Sequence, residues 1–224
     1  MDLRWPSYRF EVPKDLAAQD TVSNIFWGIY ESAEIRQIES HMNPNLDVIE
    51  LGCSLGIVSS HIAAKLAAGR RLVSVEANPN LIPFAKRNIE RNRNPGVSIE
   101  VINSAISFEP RSIYFECNPD HTCSRVVNSP GEYTVEVPSL RLSGLLQSYS
   151  ITSFTLCCDI EGAELGIFLD DHEAFDSCCD IFIELHSTEY RGEFYSAKQI
   201  EEIVVTKLNF KVRHKYGNVY WFSR

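Results

Sequence analysis

At 224 residues and 44% hydrophobic, the chain can bury one core but not two ordinary domains with linkers. Its formal net charge of −9 argues against nucleic acid as a partner, because such binders carry a basic face. It contains no apolar run of eighteen residues, and its first residues lack the basic and apolar regions of a signal peptide, so a cytoplasmic protein with no membrane contact is expected.

Seven cysteines, two pairs of them adjacent (Cys157-Cys158 and Cys178-Cys179), include no CxxC pair. Neighbours on a strand point to opposite faces, so these cysteines read as reduced, small core residues.

Residues 1–20 are polar and proline-dotted, and an irregular arm is expected there. Together with the helical pattern over Thr21–His41, broken near Gly28–Ser32, they form an N-terminal segment 1–46 of a single domain. The core, 47–224, opens on Asp47-Val-Ile-Glu-Leu-Gly-Cys-Ser-Leu-Gly56. A short apolar run meets Glu50, then Gly52 and Gly56, then a helical pattern over about 56–68. Strand, glycine turn and helix make the nucleotide-binding corner of a doubly wound α/β fold. Glycines there allow the backbone a tight turn and a ligand a close approach.

A second strand, Leu72–Val75, ends on Glu76, and Asn78 or Asn80 is placed to cap the helix that runs to about Asn92. Lys86–Arg93 reads as the solvated face and C-terminal end of that helix. A third strand, Ser98–Ile102, leads to Ser104-Ala105. Two alternating segments, Ser112–Glu116 and Tyr133–Pro138, then flank the Asn- and Pro-rich stretch Cys117–Gly131, which suggests a β-excursion or a long loop over a site. A short helix is expected over Leu140–Leu146, a fourth parallel strand over Phe154–Cys158 and a helix from Ala163. A fifth strand covers Asp180–Leu185, and a last helix Ala197–Lys207. A hairpin, Phe210–His214 with Val219–Phe222, closes the chain.

In an open parallel sheet, ligands bind at the carboxyl ends of the strands. Those ends present Glu50, Glu76, Ser104-Ala105, Asp159 with Glu161, and Glu184 with His186. Acids gathered at one edge repel each other and fit ligand contacts better than structure. Glu76 is placed to accept the hydroxyls of a ribose. The opening turn is neither GxGxxG nor GxxxxGK[ST], so a nucleoside without a polyphosphate is expected, S-adenosylmethionine being the common one.

The ordered set of motifs resembles the FkbM family of S-adenosylmethionine-dependent methyltransferases. It runs through Tyr30-Glu31, Glu50-Leu-Gly-Cys-Ser-Leu-Gly56, Glu76-Ala-Asn-Pro79 and Asn103-Ser-Ala-Ile106. It continues with Cys123-Ser124, Ser139-Leu-Arg-Leu-Ser143, Cys158-Asp-Ile-Glu-Gly-Ala-Glu164 and Glu184-Leu-His186. The chain differs from the family pattern in having Glu50 for Asp, Cys53-Ser54 for Ala-Asn, Cys158 for Lys, and Arg-Leu-Ser for Thr-Leu-Asp.

The resemblance implies a class I, Rossmann-like, mostly parallel seven-stranded sheet with an antiparallel closing strand. It implies methyl transfer to oxygen on a saccharide or small metabolite, with S-adenosylmethionine as cofactor. The cofactor residues would be Tyr30, Glu31, Glu50, Gly52, Cys53, Ser54, Gly56, Glu76, Ala77, Ser104, Ala105 and Asp159. His186 is the first choice of base, with Asp159 and Glu161 as competitors. Asp159, Glu161 and Glu184 offer hard oxygens that suit Mg²⁺, but no metal is expected. His121 and His172 read as solvated, and Trp5, Trp27 and Trp221 as packing residues. Two other readings stand: nitrogen methylation of a macromolecule, and a nucleoside-binding or interaction module with reduced catalysis.

Overall fold

The computed structural model describes residues 1–5, 7–13, 19–108, 113–117, 125–127, 129–131 and 133–224, with the backbone alone for residues 2, 4, 5 and 125–127. The chain opens with β1 (Asp2–Trp5), β2 (Tyr8–Glu11), α1 (Gln19–Trp27) and α2 (Ser32–His41). Strand and helix then alternate: β3 (Asp47–Leu51), α3 (Ile57–Lys65), β4 (Arg71–Glu76), α4 (Ile82–Asn92) and β5 (Ser98–Asn103). An excursion follows through β6 (Ala105–Ile106), β7 (Ile113–Glu116), β8 (Arg125–Val127), β9 (Thr134–Val137) and β10 (Ser139–Leu140). The second half holds α5 (Leu142–Ser148), β11 (Phe154–Cys158), α6 (Glu164–Asp170), a 3-10 helix (His172–Ser177) and β12 (Cys178–Glu184). It ends with β13 (Thr188–Tyr190), β14 (Glu193–Tyr195), α7 (Ala197–Thr206), β15 (Lys211–Tyr216) and β16 (Val219–Ser223).

The main sheet has seven strands in the order β15-β16-β12-β11-β3-β4-β5. β3, β4, β5, β11 and β12 run parallel, and β16 inserts antiparallel between β12 and β15. This is the doubly wound sheet with one reversed strand that the sequence predicts. β3 and β11 are buried along their whole length, because helices cover both faces of a parallel sheet.

Period-2 alternation sorts the strand side chains between two cores. Leu51, Val75, Leu156, Cys158 and Ile183 face α5, α6 and α7, whereas Val48, Leu72, Cys157 and Phe182 face α2, α3 and α4. The adjacent cysteines therefore part to opposite faces, and each of the described cysteines is unbridged.

The N-terminal segment departs from the expected irregular arm. β1 and β2 pair antiparallel, with Leu3 opposite Phe10. Phe10 and Val12 are fully buried against Ile25, Leu55, Ile57 and Leu81. The polar residues that hid this hairpin make tertiary bonds. Glu11 pairs with Arg87 at 2.9 Å and with Arg91 at 3.2 Å, so the cations on α4 that read as solvated are half-covered. Asn88, with no exposed surface, receives the Glu11 N–H at 2.7 Å and donates to the carbonyls of Glu11 and Leu55.

Other local expectations shift. α4 has no side-chain cap: Asn78 Oδ1 instead accepts the Asn80 N–H at 3.1 Å, and Pro83 follows Ile82 at the helix start. α7 carries a capping box between Ser196 and Gln199. The excursion contains a three-stranded sheet, β8-β7-β9, where a loop stood as the alternative. His121 and Cys123-Ser124 lie outside the described residues, as does the Trp5 side chain. His172 is exposed, Trp221 packs between His41 and Phe182, and Trp27 is 73% exposed rather than packed.

Replacing Asn88 with alanine removes the partner of the part-buried Glu11 N–H and carbonyl and of the buried Leu55 carbonyl. The Asn88→Ala variant should lose about 2–4 kcal/mol of unfolding free energy in urea titration. A loss below 1 kcal/mol would mean that the hairpin is not fastened through this residue.

Candidate active site

The chain winds from β3 to one edge of the sheet and from β11 to the other, so the crevice lies where these two strands adjoin. Here Asp159 N–H donates to the Leu51 carbonyl at 2.9 Å. Gly52, at φ +87°, lies so close to the next strand that a Cβ would stand 1.8 Å from the Asp159 carbonyl oxygen. Gly56, at φ +74°, is equally constrained, since a Cβ there would stand 2.9 Å from Ala85 Cα. Both glycines are thus required by protein backbone, the residue just past β11 in one case and α4 in the other. The amides of Gly52 and Cys53 donate to the Val75 carbonyl, which stitches the turn to β4.

Above this turn lies a cleft that opens to solvent. Of the residues expected to hold a cofactor, Tyr30, Glu31, Gly52, Ser54, Glu76 and Ala77 line it. Ser104, Ala105 and Asp159 line it too, as does Glu161 from the expected catalytic set. Glu50 and Cys53 line a smaller recess behind the turn, where they meet Tyr30, Glu31, Ser54 and Asp159. Gly56 borders neither space and acts as the left-handed N-cap of α3. Apolar Leu81, Ile106 and Phe115 close one end of the cleft; Phe115 comes from the excursion.

Glu76 is 7% exposed, with one carboxylate oxygen 2.7 Å from Ser54 N and the other 2.7 Å from Asn78 N. Burial raises its pKa, and the backbone amides of Asn78, Ser54 and Ala77 oppose the rise. Glu50, 3% exposed, accepts the Ser74 hydroxyl at 2.5 Å. Burial pushes its carboxyl up to about 7, against the lowering effect of hydroxyl hydrogen bonds.

Glu31 is also pushed up to about 7, first by burial and then by Glu184 and Glu161. Asp159 and Glu34 are raised well above the usual carboxylate range by burial, then by Glu31 and Asp159 respectively. Glu161 is raised by burial, with His186 opposing. Burial, then Glu31, raises the Tyr30 phenol.

His186 stands beside the cleft at the end of β12. Its Nδ1 is 3.0 Å from Glu164 Oε1, and its Nε2 is 3.6 Å from Glu161 Oε2 and 4.0 Å from Glu184 Oε1. The hydrogen bond to Glu164 raises its pKa to about 9, against desolvation. Among the described residues, no lysine or arginine lines the cleft or the recess. Such a wall accepts cations and hydroxyl donors and repels phosphates.

The sequence missed three parts of this site. Glu34 on α2 is 6% exposed, yet looks like one acid in a polar helix until folding turns it toward Asp159. Glu164 reads as a first-turn acid that suits the helix dipole, but it holds His186. Phe115 arrives from a segment whose placement has no local signal.

The sheet order, the reversed strand and an acid at the end of β4 define a class I methyltransferase-like architecture. Residues 56–217 match the Methyltransferase FkbM domain, and the chain belongs to that family. It is 30% identical over 79 residues to the ribosomal protein L11 methyltransferase of Thermosipho africanus (strain TCF52B), covering 34% of this chain and 28% of that protein. A 99-residue match to the enzyme of the same name from Caldicellulosiruptor bescii is 29% identical, covering 43% of this chain and 31% of that protein. The matches thus span about a third of these relatives' length. Among solved structures, the precorrin-6y C5,15-methyltransferase of Geobacter metallireducens GS-15 superposes with a TM-score of 0.48 at 11% identity, over 98% of this chain and 100% of that one. No helix of the described residues is long and apolar enough to cross a membrane.

The buried acid Glu50 makes stability fall as pH rises. Folded, it keeps its proton up to about pH 7, whereas the unfolded chain loses it near 4.5. The protonated form therefore stabilises the fold at low pH, and that gain, roughly 3 kcal/mol, is lost as pH climbs through 7. Glu50→Gln keeps an acceptor for Ser74 and cannot ionise. Relative to the parent, its unfolding free energy should be about 2 kcal/mol more favourable at pH 8.5 than at pH 5. Equal differences at both pH values would refute a neutral Glu50.

Proposed function

We propose that this domain binds S-adenosylmethionine in the cleft and transfers a methyl group to a hydroxyl of a saccharide or small metabolite. The carrying observation is the cleft's wall: Glu31, Glu76, Asp159 and Glu161, with no cation among its described lining residues. A sulfonium and an ammonium suit such a wall, and a polyphosphate does not. The buried Ser54 hydroxyl, beside the Tyr30 phenol, adds a polar group at the same turn. The cofactor supplies an already activated methyl group, so the protein's part is positioning and proton removal.

Glu76 would take the ribose hydroxyls on the acceptor capacity that its backbone amides leave free. Ala77, Leu81, Ala105, Ile106 and Phe115 give the apolar end in which an adenine is desolvated. The recess lined by Glu31, Glu34, Glu50 and Asp159 suits the ammonium. Glu161 is the proposed base in place of His186, because it lines the cleft, while His186 has Nδ1 on Glu164 and Nε2 turned to the acids. Glu161 adopts φ +51°, a strained backbone that aims its carboxylate.

A second reading is methylation of an amine on a protein. The partly exposed carboxylates of Glu161 and Glu184 at the cleft mouth favour it, since they would attract a cationic acceptor. The relatives named for a ribosomal protein point the same way. Mass spectrometry of products from glycans and from proteins separates the two readings.

Calorimetric titration with S-adenosylmethionine and S-adenosylhomocysteine tests the proposal. Both should bind, and Glu76→Ala should weaken both by at least about tenfold, from the loss of hydrogen bonds to a charged acceptor. Failure of either ligand to bind at millimolar concentration would overturn the reading. Glu161→Gln should bind the donor normally and lower turnover by about 10²–10⁴. Full turnover in that variant would remove Glu161 as the base, and donor binding without any turnover would leave a binding module.

A further inference from the structure

Asp159 at the end of β11, and Glu184 and His186 at the end of β12, each place one ligand atom within 4.8 Å of the others. Three features mark this group as more than crowded acid. The first is the orientation of His186. Its Nδ1 lies 3.0 Å from an oxygen of Glu164, a side chain with no exposed surface. The same oxygen accepts the Gly162 N–H at 3.1 Å, so Glu164 cannot swing away without breaking a second bond. A carboxylate on Nδ1 fixes the N–H there and turns Nε2 toward Glu184, so an ion that binds at Nε2 displaces the proton it carries. The second feature is Asp159 Oδ1, which is buried and has no hydrogen-bond partner. Such an oxygen is costly to hold unless a ligand completes it. The third is placement: the ligands project from the ends of adjacent buried strands, which fix their spacing.

We propose that Asp159, Glu184 and His186 bind a divalent first-row transition ion, of the Mn²⁺ or Zn²⁺ type, with Glu164 as the positioning residue for His186. One imidazole and two carboxylates suit these ions better than Mg²⁺, which prefers oxygen alone. This revises the expectation of a metal-independent protein. Ligand bonds near 2.0–2.2 Å put neighbouring donors about 3 Å apart, so the 4.0 Å between His186 Nε2 and Glu184 Oε1 closes by roughly 1 Å on loading. Three protein ligands leave coordination positions open. Because Asp159 also lines the cleft, those positions face it, and an acceptor bearing two neighbouring oxygen donors would be held there. That last role rests on the methyl-transfer reading, whereas ion binding does not.

The test uses the full chain, stripped with chelator and titrated with MnCl₂ by calorimetry and electron paramagnetic resonance, in the absence of methyl donor. One ion per chain is expected, with a rise in Tm on loading. Asp159→Asn, Glu184→Gln and His186→Ala should each weaken binding at least about tenfold. Glu164→Gln should weaken it about 10–100-fold, and in the ion-loaded chain should shift the ¹⁵N signal of the His186 Nδ1–H that Glu164 accepts. No uptake at millimolar Mn²⁺ and Zn²⁺, or uptake unchanged in Asp159→Asn and His186→Ala, would overturn the proposal. Titrating the same stripped protein with S-adenosylmethionine keeps the two readings apart. Donor binding without ion uptake removes only the metal site; ion uptake without donor binding removes only the donor reading.

Discussion

Gly52 and Asp159 meet backbone to backbone at the point where the winding of the sheet reverses. A single methyl group at Gly52 would stand 1.8 Å from the Asp159 carbonyl. That approach lets the turn after β3 and the loop after β11 share one small space, so side chains from different strands face each other across it. Gly56 repeats the constraint one turn later against α4. Together the two contacts set the angle at which α3 leaves the sheet, and so the floor of the cleft.

The geometry concentrates negative charge where water is scarce. Glu31, Glu34, Glu50, Glu76 and Asp159 are all raised above the usual carboxylate range, with burial the largest cause in each case. His186 answers only part of this charge. Backbone strain collects in the same place, since Glu31, Ser54 and Glu161 are cleft residues with positive φ. Repulsion and strain at one edge are tolerated because the two cores on either face of the sheet are apolar and continuous. Ligands that bring positive charge relieve the repulsion, which is the thermodynamic reason to expect cationic partners there.

The segments outside the sheet finish the site without belonging to its pattern. The N-terminal hairpin buries Leu55, Ile57 and Leu81 and thereby props the turn and the start of α4. Its attachment is polar, through Glu11 and Asn88, which is why it lacks the apolar signature of a strand pair. The excursion from β6 to β10 carries its own small core of Ala105, Ile113, Phe115 and Val137, and through Phe115 it forms one wall of the cleft.

The doubly wound sheet, the reversed last strand and most of the cleft lining are legible in the residue pattern alone. Strand runs, glycine turns and acids at strand ends are local patterns, and local patterns survive without coordinates. Glu76, Ala77, Ser104, Ala105 and Asp159 were legible for that reason. Long-range packing set what required the glycines, which way the acids turn, and that Glu34 and Glu164 belong to the site. It also decided that His186 is tied to Glu164, and that polar residues 1–13 include a packed hairpin. Each of these rests on contacts between residues far apart in the chain. Side-chain direction there follows from how the strands and helices pack, which no spacing within one segment records.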